Sequence, residues 1–147
     1  MTRRKFIEKS GSFSLSAIGI VGLAALLEGC SEDDSSNPVA APTSQFTINL
    51  ADHTELQKVG GFKTFQMEST PIIVFRTGDT TFKALSLVCT HQACTVNWQQ
   101  SSKKFTCPCH SSTFNENGDV TNGPASTNLA TFTTEYKAET NQLIINP

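Results

Sequence analysis

The chain lacks an apolar run long enough to cross a membrane comfortably. Its most apolar stretch, residues 13–27, is 15 residues long, against the roughly 20 that a spanning helix takes. Net charge is also scarce: −2 over 147 residues, with Lys and Arg clustered only within residues 3–9. That balance gives no support to nucleic-acid binding. Tryptophan and tyrosine occur once each against ten phenylalanines, so phenylalanine supplies the large apolar groups of a modest core. No internal repeat appears, and no stretch from Phe46 onward sustains helical periodicity, which speaks against solenoids and helical bundles. A hydrophobic content of 37% with 16% charged residues fits one small globular domain plus attachments, not a disordered chain.

The attachments come first. MTRRKFIEK, with Arg3 and Arg4 adjacent, resembles the twin-arginine (Tat) export signal, whose carrier moves folded proteins. After the apolar stretch comes LEGC, in which Leu27, Gly29 and Cys30 match the lipobox of bacterial lipoproteins, although Glu28 is unusual at its place. The resemblance implies that residues 1–29 are removed and that Cys30 becomes the lipidated first residue. An uncleaved signal anchor is the alternative. Residues 30–45 read as lipidated Cys30 and a flexible acidic tether. Residues 31–45 would reach roughly 50 Å fully extended and about 20 Å as a coil. The acidic run at 32–34 resembles signals that send some lipoproteins to the cell surface. Without residues 1–29 the chain has 7 basic and 11 acidic residues, a formal charge of −4.

Residues 46–147 are the expected folded domain. FTINL, KTFQME, IIVFR, FKALSL, TVNW, TFTTEYKA and QLIIN are rich in Phe, Thr, Ile and Val, and several alternate apolar and polar residues. Turn residues break them at Gly60-Gly61, Thr77-Gly78-Asp79, Asn117-Gly118-Asp119 and Asn122-Gly123-Pro124. ADHTELQK (51–58) can make a short helical turn. The pattern predicts an antiparallel all-β domain, a small sandwich or barrel with limited core burial, in which an extra cross-link is expected.

Four cysteines and two histidines of this domain fall into two boxes, Cys89-Thr-His91-Gln-Ala-Cys94 and Cys107-Pro-Cys109-His110. One thiolate and one imidazole from each box make a Cys2His2 set, which could bind zinc. Zinc leaves the extra cysteine of each box unexplained.

The spacing together with the extra cysteines resembles the Rieske iron–sulfur family, whose pattern is C-T-H-x-G-C followed by C-P-C-H-G-S. The resemblance implies that Cys89 and Cys107 hold one iron of a [2Fe–2S] cluster, that His91 and His110 hold the other, and that Cys94 and Cys109 form a disulfide between loops 89–94 and 107–114. An exported protein meets an oxidising compartment in which such a pair persists. A bridge of that span stabilises by roughly 3 kcal/mol in the chain-entropy model. Two ferric ions, two sulfides and two thiolates sum to zero. Adding an electron is therefore easier than in an all-cysteine cluster, and Rieske potentials are correspondingly higher.

The cluster's neighbours follow from the same resemblance. Ser112 matches the serine whose hydroxyl donates to a bridging sulfide and raises the potential. Phe114 stands where many high-potential members carry a tyrosine that donates to a ligand thiolate. The potential is therefore expected in the mid to high Rieske range, below that of a relative with the tyrosine. Gly123-Pro124-Ala125 resembles the loop that covers the cluster, here within 122–126, with Ser126 where a second proline is often found. The pattern's two glycines are Ala93 and Ser111, and Gln92 occupies a position that is often apolar. His53, Trp98 and Phe105 read as turn and core residues.

Function follows as an expectation: a one-electron carrier in the bacterial envelope, with a cytochrome or periplasmic oxidoreductase as redox partner, a membrane lipid anchor and no nucleic acid. Gln92 and the lipid anchor favour a stand-alone or accessory protein. The disulfide and Ser112 also suit the Rieske subunit of a quinol-oxidising cytochrome bc-type complex, where quinol is the donor. An oxygenase would need a further iron site of two histidines and a carboxylate and does not call for the Cys94–Cys109 pair.

Overall fold

In the computed structural model of the chain, residues 41–147 are described. The Tat-like signal, Cys30 and the tether up to residue 40 lie outside the described residues.

Ten strands follow in order: β1 Phe46–Asn49, β2 Phe62–Met67, β3 Thr70–Arg76, β4 Phe82–Ser86, β5 Asn97–Gln99, β6 Lys104–Thr106, β7 Thr113–Asn115, β8 Val120–Asn122, β9 Thr131–Lys137 and β10 Gln142–Asn146. They form two antiparallel sheets. The larger, in order β1-β10-β9-β4-β3-β2, is the base; the smaller, β5-β6-β7-β8, is built of three-residue strands. Fold and class are as the sequence predicts. The seven expected strands are all present, and the helical turn expected at 51–58 is two single-turn 3₁₀ helices, Leu50–Asp52 and Thr54–Leu56, the first beginning one residue earlier. The predicted breaks fall between strands, save that Asn122 of the last one ends β8, and Gly60 and Gly118 take the left-handed backbone at φ of 84° and 85°.

β3 shows why the domain has two cores. Its run Ile72, Ile73, Val74, Phe75 is apolar without alternation because both faces are covered. Ile72 and Val74 join Leu143, Ile145, Leu56 and Met67 in one cluster. Ile73 and Phe75 face the other way and join Leu85, Val96, Phe105 and Phe114 in a second. That second core runs from the base into the small sheet and ends on the thiols of Cys89 and Cys107. Trp98 packs on Phe75 and Phe105 at centroid distances of 4.9 and 4.7 Å. Trp98 and Phe105, on β5 and β6 of the small sheet, thereby pack it onto Phe75 of the base, as core residues should.

At the N-terminal edge, Pro42 is buried, and the backbone N–H groups of Thr43 and Ser44 donate to the Glu68 carboxylate at 3.3 and 3.0 Å. The Ser44 hydroxyl donates to the same group, and these bonds hold the Glu68 carboxyl below the usual range. Residues 42–44 thus lie against the β2–β3 turn.

Candidate metal centre

Loop 89–94 continues β4. Leu87 accepts from the Val96 N–H (2.8 Å), and Val88 bridges Thr95, so the loop rises from a closed neck. Loop 107–112 joins β6 to β7, whose pairing of Phe105 with Phe114 closes a second neck. Both necks stand on the second core, and this fixes where the loops emerge.

Each loop closes on itself in the same way. The Cys89 N–H donates to the Cys94 carbonyl (2.8 Å) and the Ala93 N–H to the Cys89 carbonyl (2.9 Å). In the second loop the Cys107 N–H donates to the Ser112 carbonyl (2.8 Å) and the Ser111 N–H to the Cys107 carbonyl (3.1 Å). The fifth residue of each loop, Ala93 at φ 53° and Ser111 at φ 60°, adopts the left-handed backbone. These are the two places where the family pattern has glycine, so both side chains sit in a conformation that favours none.

The closure gathers backbone donors around sulfur. The N–H groups of His91 and Gln92 bear on Cys89, and those of Cys109 and His110 bear on Cys107. The thiols are 2% exposed and share a hydrogen bond. Burial pushes both upward. At Cys107 the two backbone donors and the Cys89 thiol together outweigh burial and hold the thiol below its ordinary value, whereas Cys89 stays raised by burial and by the neighbouring Cys107. His91 and His110 are exposed at the tip, with ring centroids 5.0 Å apart and planes at 88°.

Cys94 and Cys109 are joined in a disulfide, with Cα atoms 6.5 Å apart, and among the described residues Cys89 and Cys107 are the free cysteines. The bridge therefore divides the four cysteines as the resemblance implied. Its two sulfurs lie within 4.8 Å of Cys107 Sγ but are spent in the bond, which leaves Cys89, Cys107, His91 and His110 as the donors available. Two soft buried thiols with backbone N–H groups on the sulfurs, in the same two loops as two exposed imidazoles, fit a [2Fe–2S] cluster of mixed ligation.

The expected covering loop, 122–126, and Thr127 just after it are anchored to the two cysteine loops. The Ala125 N–H donates to the fully buried Ser112 hydroxyl (3.0 Å), which keeps its own hydrogen to donate elsewhere. Thr90 donates through its hydroxyl to the Thr127 carbonyl (2.6 Å). Thr90 belongs to the C-T-H pattern, but its role as a tie needs the spatial neighbour and is invisible in the sequence. Gly123–Pro124 is a cis peptide, and Ala125 is buried. Phe114 is fully buried in the second core. Residues 89–94, 107–114 and 122–129 contain no Asp, Glu, Lys or Arg.

Comparison with known proteins places this architecture. Residues 47–133 match the Rieske [2Fe-2S] domain. The cytochrome b6-f complex iron-sulfur subunit 1 of Trichormus variabilis is 31% identical over 116 residues, covering 79% of this chain and 60% of that protein. A cytochrome b6-f complex iron-sulfur subunit of Prochlorococcus marinus is 34% identical over 99 residues, 67% of this chain and 52% of the relative. The chain thus spans between about half and three fifths of the length of these two relatives. Among solved structures, the plasma membrane Rieske protein PetC3 from Synechocystis PCC 6803 is 31% identical with a TM-score of 0.53, covering 67% of this chain and 95% of that one. The soluble domain of Rieske protein II (soxF) from Sulfolobus acidocaldarius, 17% identical at a TM-score of 0.56 and covering 70% and 77%, shares the fold. With its match running from β1 into β9 and enclosing all three loops, the chain belongs to the Rieske [2Fe-2S] domain family.

Proposed function

We propose that Cys89 and Cys107 bind one iron and His91 and His110 the other iron of a single [2Fe–2S] cluster, and that the protein carries single electrons in the bacterial envelope as a stand-alone or accessory redox protein. The observation that carries this reading is the division of the cysteines: two are locked in the bridge, and two are buried free thiols at the heads of the same two loops that bear the exposed histidine pair. When bound, the cluster supplies one-electron redox chemistry. The chain's own residues do the rest. The backbone N–H groups at each thiol favour the thiolate that iron requires, and the bridge holds the two donor loops together. Ser112 acts as a tuning donor, and the exposed imidazoles offer the face at which a partner meets the site.

The test is composition and spectrum. Purified full-length protein is expected to hold about two iron and two acid-labile sulfide per chain, with a Rieske-type EPR signal on reduction. One zinc without sulfide overturns the reading.

A second setting, the Rieske subunit of a quinol-oxidising cytochrome complex, is favoured by the cytochrome b6-f names of the relatives. Co-purification with a cytochrome b and reduction of the protein by quinol support it; reduction only by a soluble oxidoreductase supports the accessory role. Tat export of residues 1–29 and lipidation at Cys30 fit either setting. Mass spectrometry of the mature N-terminus tests them: a diacylated peptide starting at Cys30 is expected.

A further inference from the structure

Cys107 is a free thiol set against a disulfide. Its sulfur and those of Cys94 and Cys109 all lie within 4.8 Å of one another, and the last two are already bonded. One reduced and two bonded sulfurs at that spacing are the reactants of thiol–disulfide exchange, which consumes neither oxidant nor reductant. We propose that, whenever the cluster is absent, Cys107 attacks the bridge at Cys94. The Cys94–Cys109 bond breaks, a Cys94–Cys107 bond forms, and Cys109 leaves as the free thiol. The Cys107 sulfur gives up its proton and the departing Cys109 sulfur takes one, so thiols and disulfides are conserved in number.

Geometry selects the direction. Attack at Cys109 would close a disulfide across Pro108 alone, whose φ is fixed by its ring. Attack at Cys94 joins two different loops and transfers the free thiol from a buried residue to an exposed one. Cys89, the other free cysteine among the described residues, is outside the group of three sulfurs, so the exchange belongs to Cys107.

The consequence is an order of assembly, and it rests on the reading of Cys107 as a cluster ligand. Iron bound at Cys107 withdraws the attacking sulfur and preserves the native bridge. A bridge closed before the cluster arrives is open to isomerisation, and the isomer has consumed a ligand. Cluster insertion therefore has to precede, or coincide with, lasting bridge formation.

The experiment uses the full chain with Cys89→Ser, which cannot complete the ligand set. Thiols are trapped with N-ethylmaleimide in acid, and unreduced peptides are mapped by mass spectrometry. Alkylated Cys109 and a Cys94–Cys107 peptide are expected in a resolved fraction of the chains; cluster-loaded wild type shows neither. Cys107→Ser also lacks a ligand but keeps Cys94–Cys109 intact, which separates local exchange from unfolding. If Cys89→Ser retains only the native bridge, or if both variants scramble alike, the proposal falls. Iron and sulfide in the wild type report separately on the ligand assignment: their absence overturns that assignment and leaves the peptide map to decide the exchange.

Discussion

Loops 89–94 and 107–112 close with matching pairs of backbone hydrogen bonds, turn through a left-handed fifth residue, and aim the N–H groups of their third and fourth residues at the leading cysteine. Their side chains are registered differently on that shared backbone. Histidine is third in the first loop and fourth in the second; the bridging cysteine is sixth in one and third in the other. The backbone supplies a nest for a thiolate twice over, and side-chain placement decides what faces across. The ties also differ, since Ser112 is buried where it meets the covering loop and Thr90 is exposed.

The sharpest break in the comparison is loss of a donor. Cys89→Ser and Cys107→Ser are each expected to abolish iron and sulfide binding, read by metal analysis and the EPR signal. Either variant keeping full iron would refute the equivalence of the loops. Next in size is the bridge. Replacing both Cys94 and Cys109 by alanine removes a link over a sequence separation of 15. A loss of about 3 kcal/mol is expected in chemical denaturation of the loaded protein.

Ser112→Ala then tests the unequal ties. It leaves the Ala125 N–H buried without its acceptor, a cost of about 1–3 kcal/mol, whereas Thr90→Val at an exposed site costs ~1 kcal/mol or less. The same Ser112 change is expected to lower the potential by about 40–60 mV, taking ~1–1.5 kcal/mol for the bond and ~59 mV per 1.4 kcal/mol for one electron. Protein-film voltammetry reads it, and Thr90→Val should leave the potential alone. Smaller still, Ala93→Gly and Ser111→Gly each relieve a left-handed side chain and should stabilise by ~1 kcal/mol in the same denaturation assay. Equal gains confirm that the closures are equivalent. Finally, Phe114→Tyr is expected to raise the potential, by an amount voltammetry resolves; a fall or no change defeats the hydrogen-bond argument at that position.

The base was legible because its strands are long enough to carry a pattern. IIVFR and QLIIN announce themselves by composition, and Gly60 and Gly118 mark real turns. The small sheet was legible only at β5. β6, β7 and β8 are three residues each, too short for a period of two to register, and their neighbourhood is occupied by cysteine, proline and glycine. The donor candidates and the disulfide partners came through the resemblance of the two cysteine boxes to the family pattern; residue type and spacing alone left a Cys2His2 zinc set open. The Thr90–Thr127 and Ser112–Ala125 ties were not, because each joins positions distant in sequence through a single hydroxyl. Ala93 and Ser111 stood out as departures from a pattern, and only the backbone angles show what those departures cost.

Apart from His91 and His110 themselves, residues 89–94, 107–114 and 122–129 carry no charged side chain of the Asp, Glu, Lys or Arg type, while the domain as a whole is net acidic. Long-range fields accelerate encounters when opposite charges face each other across the approaching surfaces, and salt then slows them. This tip offers no such handle. Encounter here is governed by diffusion and by the short-range match of uncharged groups, so the rate of electron exchange with a neutral-faced partner should stay nearly flat as ionic strength rises.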